Sequence, residues 1–477
     1  MRSRFLLPSA LLLLGSLTLT TACANGSGTP DPSPEPVQAG PSSTLPRSVD
    51  PSKIKGLEIV NDSSEQSSCP FAISYPDVPG AKAMTATMKK DVDWTLASFR
   101  SSRCVSGSPS AGELNVSHQF LVASGDVLGV RLTTVDTSGA GNGQSTSTYW
   151  YDGEASAYRQ ALELIADGSR NAFTAALKKQ LRGREGVDPT NLDDAFAHTT
   201  HRAGLLDDLS FTADGGLRVQ LDSGTVGATA AGTYVVSLDK ATVTPWLSPL
   251  GRRAQKQTEH PSSDLDLGAP STPSAAVPTH TASADDDTDC KKVKCIALTF
   301  DDGPAAPETA TLLDHLARYK AHVTFFTVGQ NVAAHPELVR AEAGAGHEVG
   351  NHSWNHPDLT KLTPEQVAYQ LGRTSTAIKA ATGKAPTLFR PPYGAVNAAV
   401  KAATTLSPVL WDVDTEDWKY RDSTKVAQTV IAKARRNNVV LMHDIHPTSV
   451  AAVPEILRTL TAEDFHFVTV SHLRATL

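Results

Sequence analysis

With 477 residues the chain is long enough for two domains or more, and 40% apolar and 19% charged residues make the composition that of a globular protein. A formal net charge of −7 gives no basis for nucleic-acid binding. The 30 prolines and 33 glycines are not extreme in number, but they cluster, and the clusters mark linkers.

The N-terminus reads as a targeting segment. Arg2 and Arg4 precede an apolar run, Phe5 to Leu19, that is shorter than the about 20 residues needed to span a bilayer. The run ends in Thr20-Thr21-Ala22-Cys23, which resembles a bacterial lipobox, where the cysteine is lipidated and becomes the mature N-terminus. Leucine usually stands three places before that cysteine; here Thr20 does, with Leu19 one place further back. The resemblance implies a signal peptide over 1–23 and a membrane lipid anchor on Cys23, with plain secretion as the alternative. Either places the protein outside the cytoplasm. Residues 24–55 are rich in Pro, Ser, Gly and Thr, bury too little apolar surface to offset ordering entropy, and read as a flexible tether.

With Cys23 assigned to the lipobox, four cysteines remain, an even number in an oxidising compartment. Proximity pairs them as Cys69–Cys104 and Cys290–Cys295. Residues 56–250 read as one α+β domain. Leu114 to Leu132 alternates in strand fashion around a Gly125-Asp126 turn, and Ala83–Phe99 and Ala172–Leu181 have helical spacing. No catalytic constellation stands out there; His118, His198 and His201 are scattered. Ile73-Ser74-Tyr75-Pro76 and Tyr149-Trp150-Tyr151-Asp152 resemble stretches of the extracytoplasmic domain of the anti-sigma factor RsiV, which implies a wall-binding or sensing module. Residues 251–289, ending in Asp285-Asp286-Asp287, read as a solvated linker.

From Cys290 to Leu477 strands and helices alternate. Strands are expected at Ile296–Phe300, His322–Phe326, His347–Asn351, Thr387–Arg390, Val409–Asp412, Val439–His443 and Phe467–Val470. Helices are expected at Ala310–Tyr319, Val332–Ala343, Pro364–Thr382, Ala395–Ala403, Thr424–Arg435 and Val450–Leu460. This pattern predicts an α/β fold, a distorted (β/α)7 barrel preceded by a smaller α+β domain. In such barrels chemistry sits at the C-terminal ends of strands, and the polar clusters fall there.

After the first strand come Asp301 and Asp302, then Gly303-Pro304. Two bare carboxylates at a buried strand end need a cation, a shared proton or an arginine. After the third come His352 and His356, four apart, which reach one ion if the backbone makes a helical turn. Two histidines and a carboxylate form a hydrolytic zinc set with positions open for water and substrate. After the fourth strand comes Arg390-Pro391-Pro392-Tyr393-Gly394, whose arginine can orient a carboxylate. After the fifth come Asp412, Asp414, Glu416 and Asp417 with Trp418; four acids so close cannot all be buried. After the sixth, Leu441-Met442-His443 puts a histidine at the strand end.

Together Thr299–Pro304, His352–His356, Arg390–Gly394, Asp414–Trp418 and Leu441–His443 resemble the five motifs of the polysaccharide deacetylases, the NodB-like carbohydrate esterases of family 4, over residues 290–477. The resemblance implies Asp302, His352 and His356 as ligands for Zn2+ or another divalent ion, Co2+ included. It implies Asp301 as general base tuned by Arg390, and His443 as general acid oriented by Asp417. It implies the Tyr393 backbone N–H at the oxyanion, and Trp418 and Leu441 lining an acetyl pocket. The expected activity is hydrolysis of N-acetyl groups from cell-wall glycan, at peptidoglycan GlcNAc or MurNAc. The alternatives are a deacetylase or acetyl esterase on chitin, xylan or another exopolysaccharide, and a non-catalytic wall-glycan binding or sensing protein.

Overall fold

The computed structural model describes residues 49–64, 69–104, 112–137, 143–197, 204–229, 232–268, 277–280 and 287–477. Cys23, the signal-like segment, the tether up to residue 48, His198 and His201 lie outside them.

Two antiparallel-rich sheets build the N-terminal half. The first has the order β1 (Glu58–Ser64), β2 (Phe71–Asp77), β3 (Leu114–Ser124), β4 (Val127–Asp136), β5 (Gly143–Asp152) and β6 (Ala157–Gln160). Gly125 takes a positive φ of 58° between β3 and β4, at the predicted turn. The helix Lys82–Arg103 lays Met84, Met88, Val92 and Phe99 on this sheet, and residues three or four apart share that face. The second sheet is β7 (Asp208–Phe211), β8 (Leu217–Leu221) and β9 (Tyr234–Leu238). Phe173, Leu177 and Leu181 of the helix Arg170–Leu181 share its core with the fully buried Trp150. Cys69 and Cys104 are disulfide-bonded, as are Cys290 and Cys295.

Two boundaries move. Residues 249–259, partly within the expected linker over 251–289, form a helix. Ser248 caps it by accepting from the Gly251 N–H, Pro249 occupies its first turn, and Leu250 and Ala254 enter the core. Beyond it, the Gly125 N–H donates to Asp264 O and the Asp266 N–H donates to Gly125 O, and Leu267 is buried. The sequence pattern hid this because the helix is strongly polar and buries only a narrow stripe. At the other end, Asp50 caps a short helix at Pro51–Lys53, and Ile54 is buried, so the expected tether over 24–55 ends earlier.

A cluster of acids beneath β5, Asp208 buried and Asp207 and Asp222 half-buried, sets a pH dependence. Arg131 grips Asp208 with Nε and Nη2, while Asp207 is pushed up to about 7 by burial and by the neighbouring Asp222 and Asp208 charges. The folded state therefore holds a proton that the unfolded chain releases at lower pH. Stability from this group is full below the unfolded carboxylate range and is lost as pH rises to about 7. In thermal melts at pH 5 and pH 8, Asp207→Asn is expected to shrink the difference between the two melting temperatures.

The C-terminal half is a curled parallel sheet. Along its path lie β14 (Ser407–Pro408), β13 (Leu388–Phe389), β12 (Glu348–Asn351), β11 (Thr324–Thr327), β10 (Lys294–Asp301), β16 (Val439–His443) and β15 (Val413–Asp414), and β17 (Phe465–Phe467) pairs with the start of β10. Alternation along β10 sends Ile296, Leu298 and Phe300 outward against helices such as Glu308–Arg318, and Ala297 inward with Phe326, Leu388, Val409 and Val468.

The barrel does not close. The expected strand Val409–Asp412 is instead the chain crossing the gap between the two sheet edges, with the Val409 N–H on Phe389 O and the Asp412 N–H on Val439 O. Two-residue strands remain on either side of it. The expected helix Val332–Ala343 breaks into Gly329–Ala334 and Pro336–Gly344, because Pro336 has no N–H to continue the first piece. The expected last strand Phe467–Val470 ends at Phe467, and Thr469 caps a helix that begins at Val470.

Candidate active site and metal centre

Asp301 ends β10, in register with His443 on β16 and Phe326 on β11, so two chemically active side chains stand at neighbouring parallel strand ends. Asp302 follows in the left-handed region at φ 74°, and this bend brings both carboxylates to one site although strand alternation would part them. Gly303 is required here, since a Cβ would collide with the Asp444 carboxylate. Asn331 Nδ2 donates to the Asp302 carbonyl at 2.7 Å and holds the bend.

The two histidines do not converge through a helical turn, as expected from their spacing. Residues 352–356 form an irregular loop with Ser353 at φ 67° and His356 at φ 58°. Side chains hold it: Asn351 Oδ1 accepts from the Ser353 N–H at 2.8 Å, and Ser353 Oγ accepts from the His356 N–H at 3.1 Å. Asp302 Oδ1 lies 3.5 Å from His352 Nε2 and 3.4 Å from His356 Nε2. His352 Nδ1 lies 2.7 Å from the Arg390 carbonyl, which makes Nδ1 the protonated nitrogen and leaves Nε2 a bare lone pair facing the carboxylate.

Asp302 Oδ1 and His352 Nε2 are buried with no hydrogen-bond partner. Such atoms are expensive to leave without one, and three ligand atoms from Asp302, His352 and His356 within 4.8 Å of one another fit a divalent cation. Charge states agree with this. Burial lowers both imidazoles to about 4, so they are neutral at physiological pH. Burial alone would raise Asp302, but the facing His356, His443 and His352 outweigh it and hold the carboxyl well below its usual range.

Arg390 is fully buried and fills the gap in the sheet. Its Nη1 donates to Asp301 Oδ1 at 2.8 Å and to Thr299 Oγ1 at 2.7 Å, and its Nε reaches the Val409 carbonyl in the crossing segment. Burial pushes Asp301 up and the Arg390 and His443 charges pull it back, to about 6. Opposite, His443 Nδ1 meets Asp417 Oδ1 at 2.8 Å, and Asp417 Oδ2 accepts from the His443 N–H at 2.8 Å and from Ser449 Oγ at 2.5 Å. Burial works against charge on His443, but Asp417, Asp302 and Asp301 dominate and raise it to about 10. His443 Nε2 is buried with no hydrogen-bond partner. Of the four clustered acids, Asp417 alone is buried and Asp412 faces water.

Tyr393 stands at φ 59° in the loop after β13, its ring 4.8 Å from that of His356. Trp418 is half-buried beside Asp417, and Leu441 is buried on β16. A second acid cluster, Asp126, Asp152 and Glu154, is already paired throughout with Arg253 and offers no second cation site.

Sequence reasoning missed the groups from the N-terminal half. Ser63 Oγ donates to Asp302 Oδ2 at 2.9 Å, from 239 positions away. Asn115 Nδ2 donates to the carbonyls of Asn355 and His356, and Glu113 accepts from the Asp358 N–H and from the Tyr393 hydroxyl. Nothing local to Ser63, Glu113 or Asn115 signals this. Asn331 was findable, since it follows a strand end like the residues already singled out.

Residues 288–407 match the polysaccharide deacetylase family model. Over 183 residues the chain is 46% identical to the peptidoglycan-N-acetylglucosamine deacetylase PgdA of Listeria monocytogenes, covering 38% of this chain and 39% of that relative. A peptidoglycan-N-acetylglucosamine deacetylase of Bacillus cereus is 37% identical over 190 residues, covering 37% of this chain and 69% of the relative. The solved structure of the peptidoglycan deacetylase PdaC from Bacillus subtilis is 42% identical, covering 39% of this chain and 91% of that one, with a TM-score of 0.38. The chain thus spans about two fifths of the PgdA relative's length and more than two thirds of the Bacillus cereus one. Through this C-terminal region the chain belongs to the polysaccharide deacetylase family.

Proposed function

We propose that the protein is a metal-dependent N-deacetylase of cell-wall glycan, releasing acetate from peptidoglycan GlcNAc or MurNAc outside the cytoplasm. One observation carries the reading: the Asp302–His352–His356 triad adjoins Asp301, held by Arg390, whose strand-end neighbour in register is His443, held by Asp417.

Asp302, His352 and His356 would hold Zn2+, with Co2+ as an alternative. A divalent ion there supplies Lewis-acid polarisation of the amide carbonyl and of water. Asp301, near 6, is largely ionised at neutral pH yet basic enough to take the proton of the attacking water, and Arg390 keeps it aimed. His443 is protonated at neutral pH and gives its Nε2 proton to the leaving amine, while Asp417 fixes the ring through Nδ1. The Tyr393 backbone N–H serves the oxyanion, and Trp418 and Leu441 line the acetyl pocket. Lipidation of Cys23 would hold the enzyme at the membrane facing the wall.

The test is acetate release, side by side, from peptidoglycan, chitooligosaccharide and acetylxylan with added zinc or cobalt, followed by mass spectrometry of the muropeptides. Peptidoglycan is expected to be the best substrate, with free amines appearing on its sugars. Faster release from acetylxylan or chitooligosaccharide would move the assignment to those polymers. No release from any of them, with wall binding retained, would leave a binding protein.

A further inference from the structure

The reacting groups are shut off from solvent. Asp301, Asp302, His352, His356, Arg390 and His443 are each at most 4% exposed. The N-terminal half covers two of the metal ligands: Asn61 and Ser63 on β1, Ala72 to Ser74 on β2, and Val116 on β3 face Asp302 and His356 across a cavity of about 20 Å³. That volume holds about one water molecule and no sugar.

We propose that the N-terminal domain is a built-in cover of the catalytic centre, latched over it in the resting protein, and that a glycan strand must displace it to be deacetylated. This rests on the deacetylase reading above. The latch is a set of polar contacts on the catalytic loops themselves. Ser63 holds Asp302 of the triad, and Asn115 holds the carbonyls of Asn355 and His356 in the histidine loop. Glu113 holds the Asp358 N–H and the Tyr393 hydroxyl, and Asp62 pairs with Arg421 at 3.0 Å, just past Trp418.

These contacts can part without unfolding either half. Among the described residues the apolar cores are separate: two belong to the N-terminal sheets and four to the curled sheet and its helices, and Ala334 is the one buried residue of the C-terminal half packed into an N-terminal core. Among the described residues the polar contacts across the seam are hydrogen bonds and one surface ion pair, which exchange their partners for water at small net loss, and polar seams between domains permit relative motion. With the open form a minor population, apparent substrate affinity falls by the fraction that is open, so loosening the latch raises it.

The double variant Asp62→Ala/Asn115→Ala in the full chain removes three latch contacts, two from Asn115 and one from Asp62, and no reacting group. On soluble chitooligosaccharide its kcat/KM is expected to rise about tenfold, carried by KM, with kcat nearly unchanged. Hydrogen exchange in Glu58–Ser64 is expected to quicken, and in the parent protein saturating chitooligosaccharide is expected to quicken exchange in the same strand. Equal kcat/KM in parent and variant, or no change in exchange on adding the oligosaccharide, would overturn the cover and leave the deacetylase reading standing. Absence of acetate release from parent and variant alike, on peptidoglycan as well as on chitooligosaccharide, would remove both.

Discussion

Replacing His352 with alanine is expected to abolish metal binding and acetate release together. His352 Nε2 has no hydrogen-bond partner and lies 3.5 Å from Asp302 Oδ1, while its Nδ1 is fixed on the Arg390 carbonyl. Removing it leaves two ligands and a truncated anchor for the loop after β12. Loss of an outer partner of a metal ligand already costs about 10–100-fold in affinity, so loss of the ligand itself costs more. Because burial keeps the histidines neutral down to about pH 4, no proton competes for the site near neutrality, and the deficit cannot be recovered by raising pH. Isothermal titration of the metal-free protein with zinc, with a melting curve as folding control, checks it. Metal affinity equal to the parent's would take His352 out of the ligand set.

His443→Ala is expected to behave in the opposite way, keeping the metal and losing turnover by about 10²–10⁴-fold. His443 stands in register with Asp301, not in the triad, and its buried Nε2 has no hydrogen-bond partner of its own. Asp417 fixes its other nitrogen and holds its proton, so Asp417→Asn should lower the His443 pKa. The sign follows: a histidine raised to about 10 stays acidic through neutral and mildly alkaline pH, and without the Asp417 charge the alkaline limb of the rate profile moves to lower pH. Steady-state rates across pH, with zinc content measured on the same samples, separate this from metal loss. Unchanged turnover in His443→Ala would refute its role as the acid.

Much of the catalytic half was legible because its information is local. Asp301, His352, Arg390, Asp417 and His443 each end or follow a short strand, and a parallel sheet collects such positions at one rim whatever the details of packing. The path between the two histidines was not legible. A four-residue spacing suits a helix, but Ser353 and His356 take left-handed backbone, held by the Asn351 and Ser353 side chains. The segment Val409–Asp412 looked like a strand because its composition suits one, and only the unclosed barrel makes it a crossing between edges.

By itself the sequence determined the α/β class of the C-terminal half and the residue types and order of the site, since these depend on short-range pattern. Only the tertiary structure decided three further things: that Arg390 fills the gap where the sheet fails to close, that Asp302 bends back to share a site with Asp301, and that Ser63, Glu113 and Asn115 lie over the catalytic loops. Each depends on contacts between distant chain segments or on a backbone conformation set by them, and no spacing rule within one segment encodes such a contact.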